Sequence, residues 1–152
     1  MTQFEELLQQ MEDSGVAVKE DPRLPAPFLG LYLLYENQHT IILSPGLSAA
    51  GKLCVLAEEV AHYETAIGDM RTLPPALNHL QEKRALSLAI ERLIPFDALA
   101  RAVHRFVWTK YAAAEHFGVT EEFIEQAVEH YRKKRPKQLW QLKRYAQRNS
   151  TP

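Results

Sequence analysis

The chain reads as an α+β domain, mainly helical, with one small antiparallel β-sheet and a run of helices at its C-terminal end. Three observations predict this. Two segments rich in strand formers, Leu29 to Tyr35 and Thr40 to Leu43, flank the polar ENQH and read as a hairpin. Long stretches on either side repeat their apolar residues with the period of a helix buried on one face. Glycine and proline fall between these stretches rather than inside them. At 152 residues the chain has the length of one domain with one core.

The elements follow in order. Thr2 with Glu5 forms an N-terminal capping pattern, and Phe4, Leu7, Leu8 and Met11 make an apolar stripe that ends at Gly15. DPRLPAP, Asp21 to Pro27, holds too much proline for regular structure and is a connecting loop. After the hairpin, Ser44 and Pro45 stop the second strand, and Ser48 caps a long helix that runs through LCVLAEEVAHYETAIGD, residues 53 to 69. Between Pro75 and Pro95 lies a second long helix, with Leu77, Leu80, Ala85, Leu88, Ala89 and Leu93 on its apolar side. Shorter helices follow over Phe96 to Val107, Tyr111 to His116 and Thr120 to Lys133, with Gly118 at a turn.

Charge and cysteine content narrow the function classes. The 18 basic and 19 acidic residues leave a formal charge of −1, so overall electrostatics predicts no nucleic-acid partner. One segment departs from this. From Arg132 to Arg148 every charged residue is basic, with Trp140 and Tyr145 interleaved, a composition that suits phosphates and stacked bases. The plainer reading, a solvated basic helix or tail over residues 133–152 beyond a domain of residues 1–132, is preferred. Ala113, Gly118 and Val119 stand where a helix-turn-helix places its small residue, turn glycine and hydrophobe, but the next helix, EEFIEQAVEHY, carries four glutamates that would repel phosphates. The single cysteine, Cys54, cannot form an internal disulfide and sits in an apolar run as a small buried residue. With no signal peptide at its start and no run apolar enough to span a bilayer, the chain is expected to be cytoplasmic and to have no membrane partner.

Chemistry concentrates on the long helix. Glu58 and His62 are four residues apart, so both project from one side and can reach a single ion. Glu59 would lie beside the activated water as general base. The pattern is HExxH with glutamate in the first position, a hard oxygen ligand that suits zinc and strengthens the case for manganese or iron. Taken alone, the spacing is also that of an ordinary surface ion pair. Its apolar setting among Leu53, Val55, Leu56, Val60 and Ala61 points instead to a partly buried polar group that needs a partner. Glu82, followed by small Ala85 and Ala89, is the candidate third ligand from the next helix. His79 is a candidate extra ligand or substrate contact, and Tyr63 either contacts substrate or packs.

These segments together resemble the ImmA/IrrE-type metallopeptidases of phages and mobile elements. FLGLYLLYENQHTIILSP resembles the family's hairpin, and LAEEVAHYETAIGD its HExxH helix in the phage-type variant AEExGH. QEKRALSLAIERLIP is similar to its E-x-x-A-x-x-x-A helix, and EHFGVTEEFIEQAVEHY to the small helical region that follows. The resemblance covers roughly residues 25 to 132. It implies a zincin-like metallopeptidase fold, metal ligands at Glu58, His62 and Glu82, and Glu59 as general base. It also implies a divalent metal, zinc or else manganese or iron, and a protein substrate, typically a helix-turn-helix repressor of a phage or mobile element. Glu58 departs from the usual His and Ala61 from the usual Gly. The alternatives are a scaffold that binds a repressor without cutting it, and a DNA-binding regulator.

Overall fold

The computed structural model describes residues 1–65 and 75–150. It holds seven helices and three strands among those residues: α1 (Gln3–Asp13), β1 (Ala17–Glu20), β2 (Gly30–Tyr35), β3 (Gln38–Leu43), α2 (Ala49–Thr65), α3 (Pro75–Leu93), α4 (Phe96–Arg105), α5 (Lys110–Phe117), α6 (Glu121–Lys134) and α7 (Pro136–Ser150). The fold class is the α+β, mainly helical one expected. No helix among the described residues is long and apolar enough to cross a membrane. The chain divides into two compact units, Met1–Ala89 and Ile90–Pro152.

In the first unit, α1 begins with the capping box read from the sequence. The Glu5 N–H donates to the Thr2 hydroxyl at 3.2 Å and the Thr2 N–H donates to the Glu5 carboxylate at 2.8 Å. Such a box satisfies two of the backbone donors that a helix start leaves open. Leu7 and Met11 are buried on the face that meets α2 and β1. The chain then turns at Gly15, whose φ of 79° is left-handed, and enters β1.

The sheet differs from the expected hairpin in one respect. Its order is β1-β3-β2, with β2 antiparallel to β3 but β1 parallel to it, so the sheet is mixed rather than purely antiparallel. AVKE escaped the sequence reading because a four-residue strand offers only two residues per face. The hairpin turn is also tighter than ENQH implied. Only Glu36 and Asn37 lie outside the strands, with φ of 47° and 63°, as a two-residue turn with left-handed central residues requires. Gln38 and His39 therefore belong to β3, and Tyr32 pairs with Ile41.

Helix α2 packs on β2 and β3. The Ser48 hydroxyl accepts from the Gly51 N–H at 3.0 Å, which confirms the cap placed there. Ile41 and Leu43 on the sheet and Leu53, Leu56 and Val60 on α2 are buried in this unit's core. Helix α2 ends at Thr65, and the remainder of the stretch expected to be helical, Ala66 to Asp69, lies outside the described residues.

The second unit has its own core, with Leu99, Val103, Phe123, Ile124, Ala127, Tyr131, Leu139 and Leu142 all buried. Thr109 and Thr120 cap α5 and α6 by accepting from the Ala112 and Phe123 N–H groups at 3.0 and 3.1 Å. Gly118 closes α5 in the left-handed conformation at φ 68°. The buried Tyr131 hydroxyl donates to the Ile94 carbonyl at 2.7 Å, tying α6 to the segment between α3 and α4.

Candidate metal centre

The site lies in the first unit, where α2 crosses the face of β2 and β3 and meets the first half of α3. The 100° step of the helix sends Glu58 and His62 to one side and Glu59 to the side facing β2. His62 is buried, an uncommon place for a histidine without a specific partner. Its Nε2 lies 3.4 Å from Glu82 Oε1. The helix bearing Glu82 thus reaches the α2 site, and Ala85 and Ala89 on the following turns of α3 are fully buried.

Glu59 is held against the edge of the sheet. A Cβ built on Gly30 would overlap Val55 Cγ1 and stand 3.0 Å from Glu59 Cγ and 3.2 Å from Glu59 Oε1, so the bare backbone of β2 is what makes room for this side chain. The Tyr32 backbone N–H lies near enough to the Glu59 carboxyl to lower its pKa. An edge strand has such backbone donors to offer on the side its partner strand does not use.

The electrostatics follow from this packing. Burial pushes the Glu59 carboxyl from its ordinary 4.5 up to about 7, because a charge removed from water is disfavoured. His62 pulls it down, while Glu82 and Glu58 push it further up. For His62, burial alone would lower the pKa, but contact with Glu82 and the charges of Glu59, Glu82 and Glu58 outweigh it and hold the imidazole above its usual value. The Glu82 carboxyl is lowered chiefly by its contact with His62, against the opposing effect of its own burial. A base near neutrality, a carboxylate and an imidazole thus share one corner of the unit.

Several residues complete or flank this corner. Tyr32 and His39 face α2 from the sheet, with the Tyr32 hydroxyl 2.6 Å from His39 Nδ1 and the rings stacked at 5.9 Å. Tyr63, next to His62, packs edge-on against His39 at 5.1 Å. Gly30, Tyr32 and His39 were not anticipated as site residues. The signal that exposes them is the strand alternation that puts positions 30, 32, 39, 41 and 43 on one face, and it becomes usable once the turn is known to be Glu36–Asn37. His79 is exposed on α3, with no hydrogen bond or ion pair among the described residues.

The residues were tested against a divalent ion by their spacing. Two ligands on a tetrahedral ion with bonds of about 2.0–2.1 Å stand about 3.3–3.4 Å apart. The 3.4 Å between His62 Nε2 and Glu82 Oε1 matches that edge, and imidazole with carboxylate is a donor set that zinc, manganese and iron all accept. Glu58, one turn before His62, acts on His62 electrostatically. Among the described residues, however, no group of three His, Cys, Asp or Glu side chains stands ready to hold an ion. Two donors therefore fit as placed.

The family comparison decides what kind of domain carries this corner. The model of the peptidase family described as IrrE N-terminal-like domain matches residues 11–129. The chain belongs to this family. It is accordingly a metallopeptidase-like domain, and the family implies a divalent metal and a protein substrate. Among solved structures, a Mycobacterium tuberculosis transcriptional regulator is similar with a TM-score of 0.66 at 17% identity, over 82% of this chain and 40% of that one. At that identity the likeness shows the fold alone, and this chain spans about two fifths of that protein's length. No curated protein matches the chain.

Proposed function

We propose that the chain is a metal-dependent endopeptidase that cuts a helix-turn-helix repressor of a phage or mobile element in the cytoplasm. The observation that carries this reading is Glu59, a carboxyl held near pKa 7 beside the His62–Glu82 pair. His62 and Glu82, joined by Glu58, would hold zinc, or else manganese or iron. When bound, the ion supplies Lewis-acid activation of water and of the scissile carbonyl. Glu59, buried beside this pair, is placed to accept a proton from water and return it to the leaving amine. Burial around Val60, Ala61 and His62 excludes bulk solvent from one side. The open edge of β2 offers backbone groups for an extended substrate strand. A fold neighbour that is called a transcriptional regulator is in keeping with a role in transcriptional control.

The test is incubation of the purified protein, with zinc or manganese, with the transcription factor encoded beside its gene. Wild type should yield discrete fragments. Glu59→Gln should retain metal and lose cleavage by about 10²- to 10⁴-fold, the usual contribution of a general base. Equal cleavage by that variant removes Glu59 from the mechanism.

A second reading has one observation in its favour, the lack of a ready three-ligand group among the described residues. In that reading the chain binds a repressor without cutting it. Metal-free protein that still forms a stable complex with the intact repressor would establish it.

A further inference from the structure

The whole-chain charge of −1 conceals a division between the units. Residues 1–89 carry 6 basic and 12 acidic side chains, and residues 90–152 carry 12 basic and 7 acidic. The first unit is therefore at −6 and the second at +5. Within the second unit the acids end at Glu129, so all of α7 is free of negative charge. Arg132 is paired with Glu129 at 2.7 Å and Lys134 is paired with Glu91, but Lys137 and Lys143 have no ion-pair partner among the described residues.

An open cleft of about 570 Å³ lies along this basic helix, within the size range of small-ligand sites. Aromatic rings, amides and guanidinium groups line it: Phe96 and His104 from α4, with Trp140, Gln141, Arg144 and Tyr145 from α7. Trp140 is 58% exposed and Tyr145 37%, both unusual for such large rings in a small helical unit. The Arg144 guanidinium lies 4.9 Å over the Trp140 ring, and His104 packs edge-on to Tyr145 at 4.1 Å. The two rings are thus held in place on the helix surface by neighbours rather than by burial in the core.

We propose that this cleft binds single-stranded nucleic acid, with bases stacked on Trp140 and Tyr145 and phosphates held by Arg144 and Arg148 in the cleft and by Lys137 on the same face of α7. Any polyanion would answer the positive charge. The exposed rings and the amide of Gln141 select among polyanions, since unpaired bases present flat π-faces and hydrogen-bonding edges, while an acidic peptide uses neither. A duplex keeps its bases stacked internally and leaves Trp140 without a partner. The four glutamates of α6, which argue against a helix-turn-helix contact, lie at positions 121 to 129 and contribute nothing to this cleft. The inference is independent of the peptidase reading, because every residue it uses belongs to the second unit.

Fluorescence anisotropy with labelled oligothymidylate and oligouridylate of about 20 nucleotides tests it on the full chain at about 50 mM salt. Saturable binding of either strand is expected, and the two arms tell DNA from RNA. Trp140→Ala should weaken binding by about tenfold while Trp140→Phe retains most of it, as a stacking platform requires. Neutralising Lys137, Arg144 and Arg148 together should flatten the salt dependence by about two units of slope. Trp140 is exposed, so circular dichroism should show each variant folded. No binding of either strand overturns the proposal. So does affinity unchanged in Trp140→Ala, or equal affinity for a duplex of the same length or for polyglutamate.

Discussion

Two places in this chain, the α2 site of the first unit and the surface of α5 and α6 in the second, treat carboxylates in opposite ways. In the first, Glu59 and His62 are drawn into the contact of α2 with the sheet; burial raises the pKa of Glu59, while for His62 burial lowers it and the neighbouring carboxylates outweigh that and raise it. In the second, charged groups stay at the surface and pair. Glu129 is held at about 2 chiefly by its hydrogen bonds from Arg132, and Lys110 is raised by Glu125. Burial places the Glu59 carboxyl near neutrality, where protons are exchanged, and surface pairing moves Glu129 away from it. On the two proposals made above, the first unit is arranged for proton chemistry and the second for binding anions.

The sharpest way to break the comparison is at Gly30. A methyl group there overlaps Val55 Cγ1, a β-branched side chain with little room to rotate, and crowds Glu59. Gly30→Ala should destabilise the protein by about 1–3 kcal/mol, the cost of overpacking, and should push the Glu59 carboxyl away from β2. Chemical denaturation measures the first effect. The second appears as a lower cleavage rate at saturating substrate in whatever fraction remains folded. Unchanged stability would show that α2 yields easily and that the site is softer than its packing implies.

The matching change in the second unit is Tyr131→Phe. Its hydroxyl is buried and donates to the Ile94 carbonyl, so removal leaves an acceptor without its donor at a cost of about 1–2 kcal/mol. Urea unfolding should show that loss with cleavage activity per folded molecule unaltered. Activity lost in proportion beyond the unfolded fraction would mean that the two units do not divide the functions as described.

A smaller effect sharpens the account of Glu59. Its folded pKa of about 7 lies above the ordinary 4.5, so the folded protein holds a proton that the unfolded chain releases between those values. For metal-free protein the contribution of Glu59 to stability therefore falls as pH rises from about 4.5 to 7 and is at its worst above 7. Glutamine carries no such penalty. Glu59→Gln in the presence of chelator should melt a few degrees above wild type at pH 8 and level with it near pH 4.5. A gain of equal size at both pH values would assign the effect to packing instead of charge.

Much of this arrangement was legible in the residues themselves. Capping chemistry located three helix starts, at Thr2, Ser48 and Thr120, because a hydroxyl before an apolar period has one common structural use. The approach of Glu82 to His62 could be read from small Ala85 and Ala89, which leave room for close contact between helices. The edge of the sheet was harder to read. ENQH is polar throughout, and nothing in its composition says that Gln38 and His39 continue the strand. That two-residue difference moved every partner along β2, so His39 could not be placed opposite Leu34 and beside Tyr32. The basic segment with Trp140 and Tyr145 stands out in the sequence, but not that Phe96 and His104 of α4 close a cleft against it, nor how far the two units differ in charge. Net charge is a sum, and −6 with +5 reads as balance until the fold shows where one unit ends.

Metal content measured by mass spectrometry, on protein dialysed against zinc or manganese, tests the first unit's chemistry most directly. Wild type should retain one equivalent, and His62→Ala and Glu82→Gln should each lose it while remaining folded. Retention of a full equivalent by both variants would contradict the account, because the ion would then be held somewhere other than the meeting point of α2 and α3.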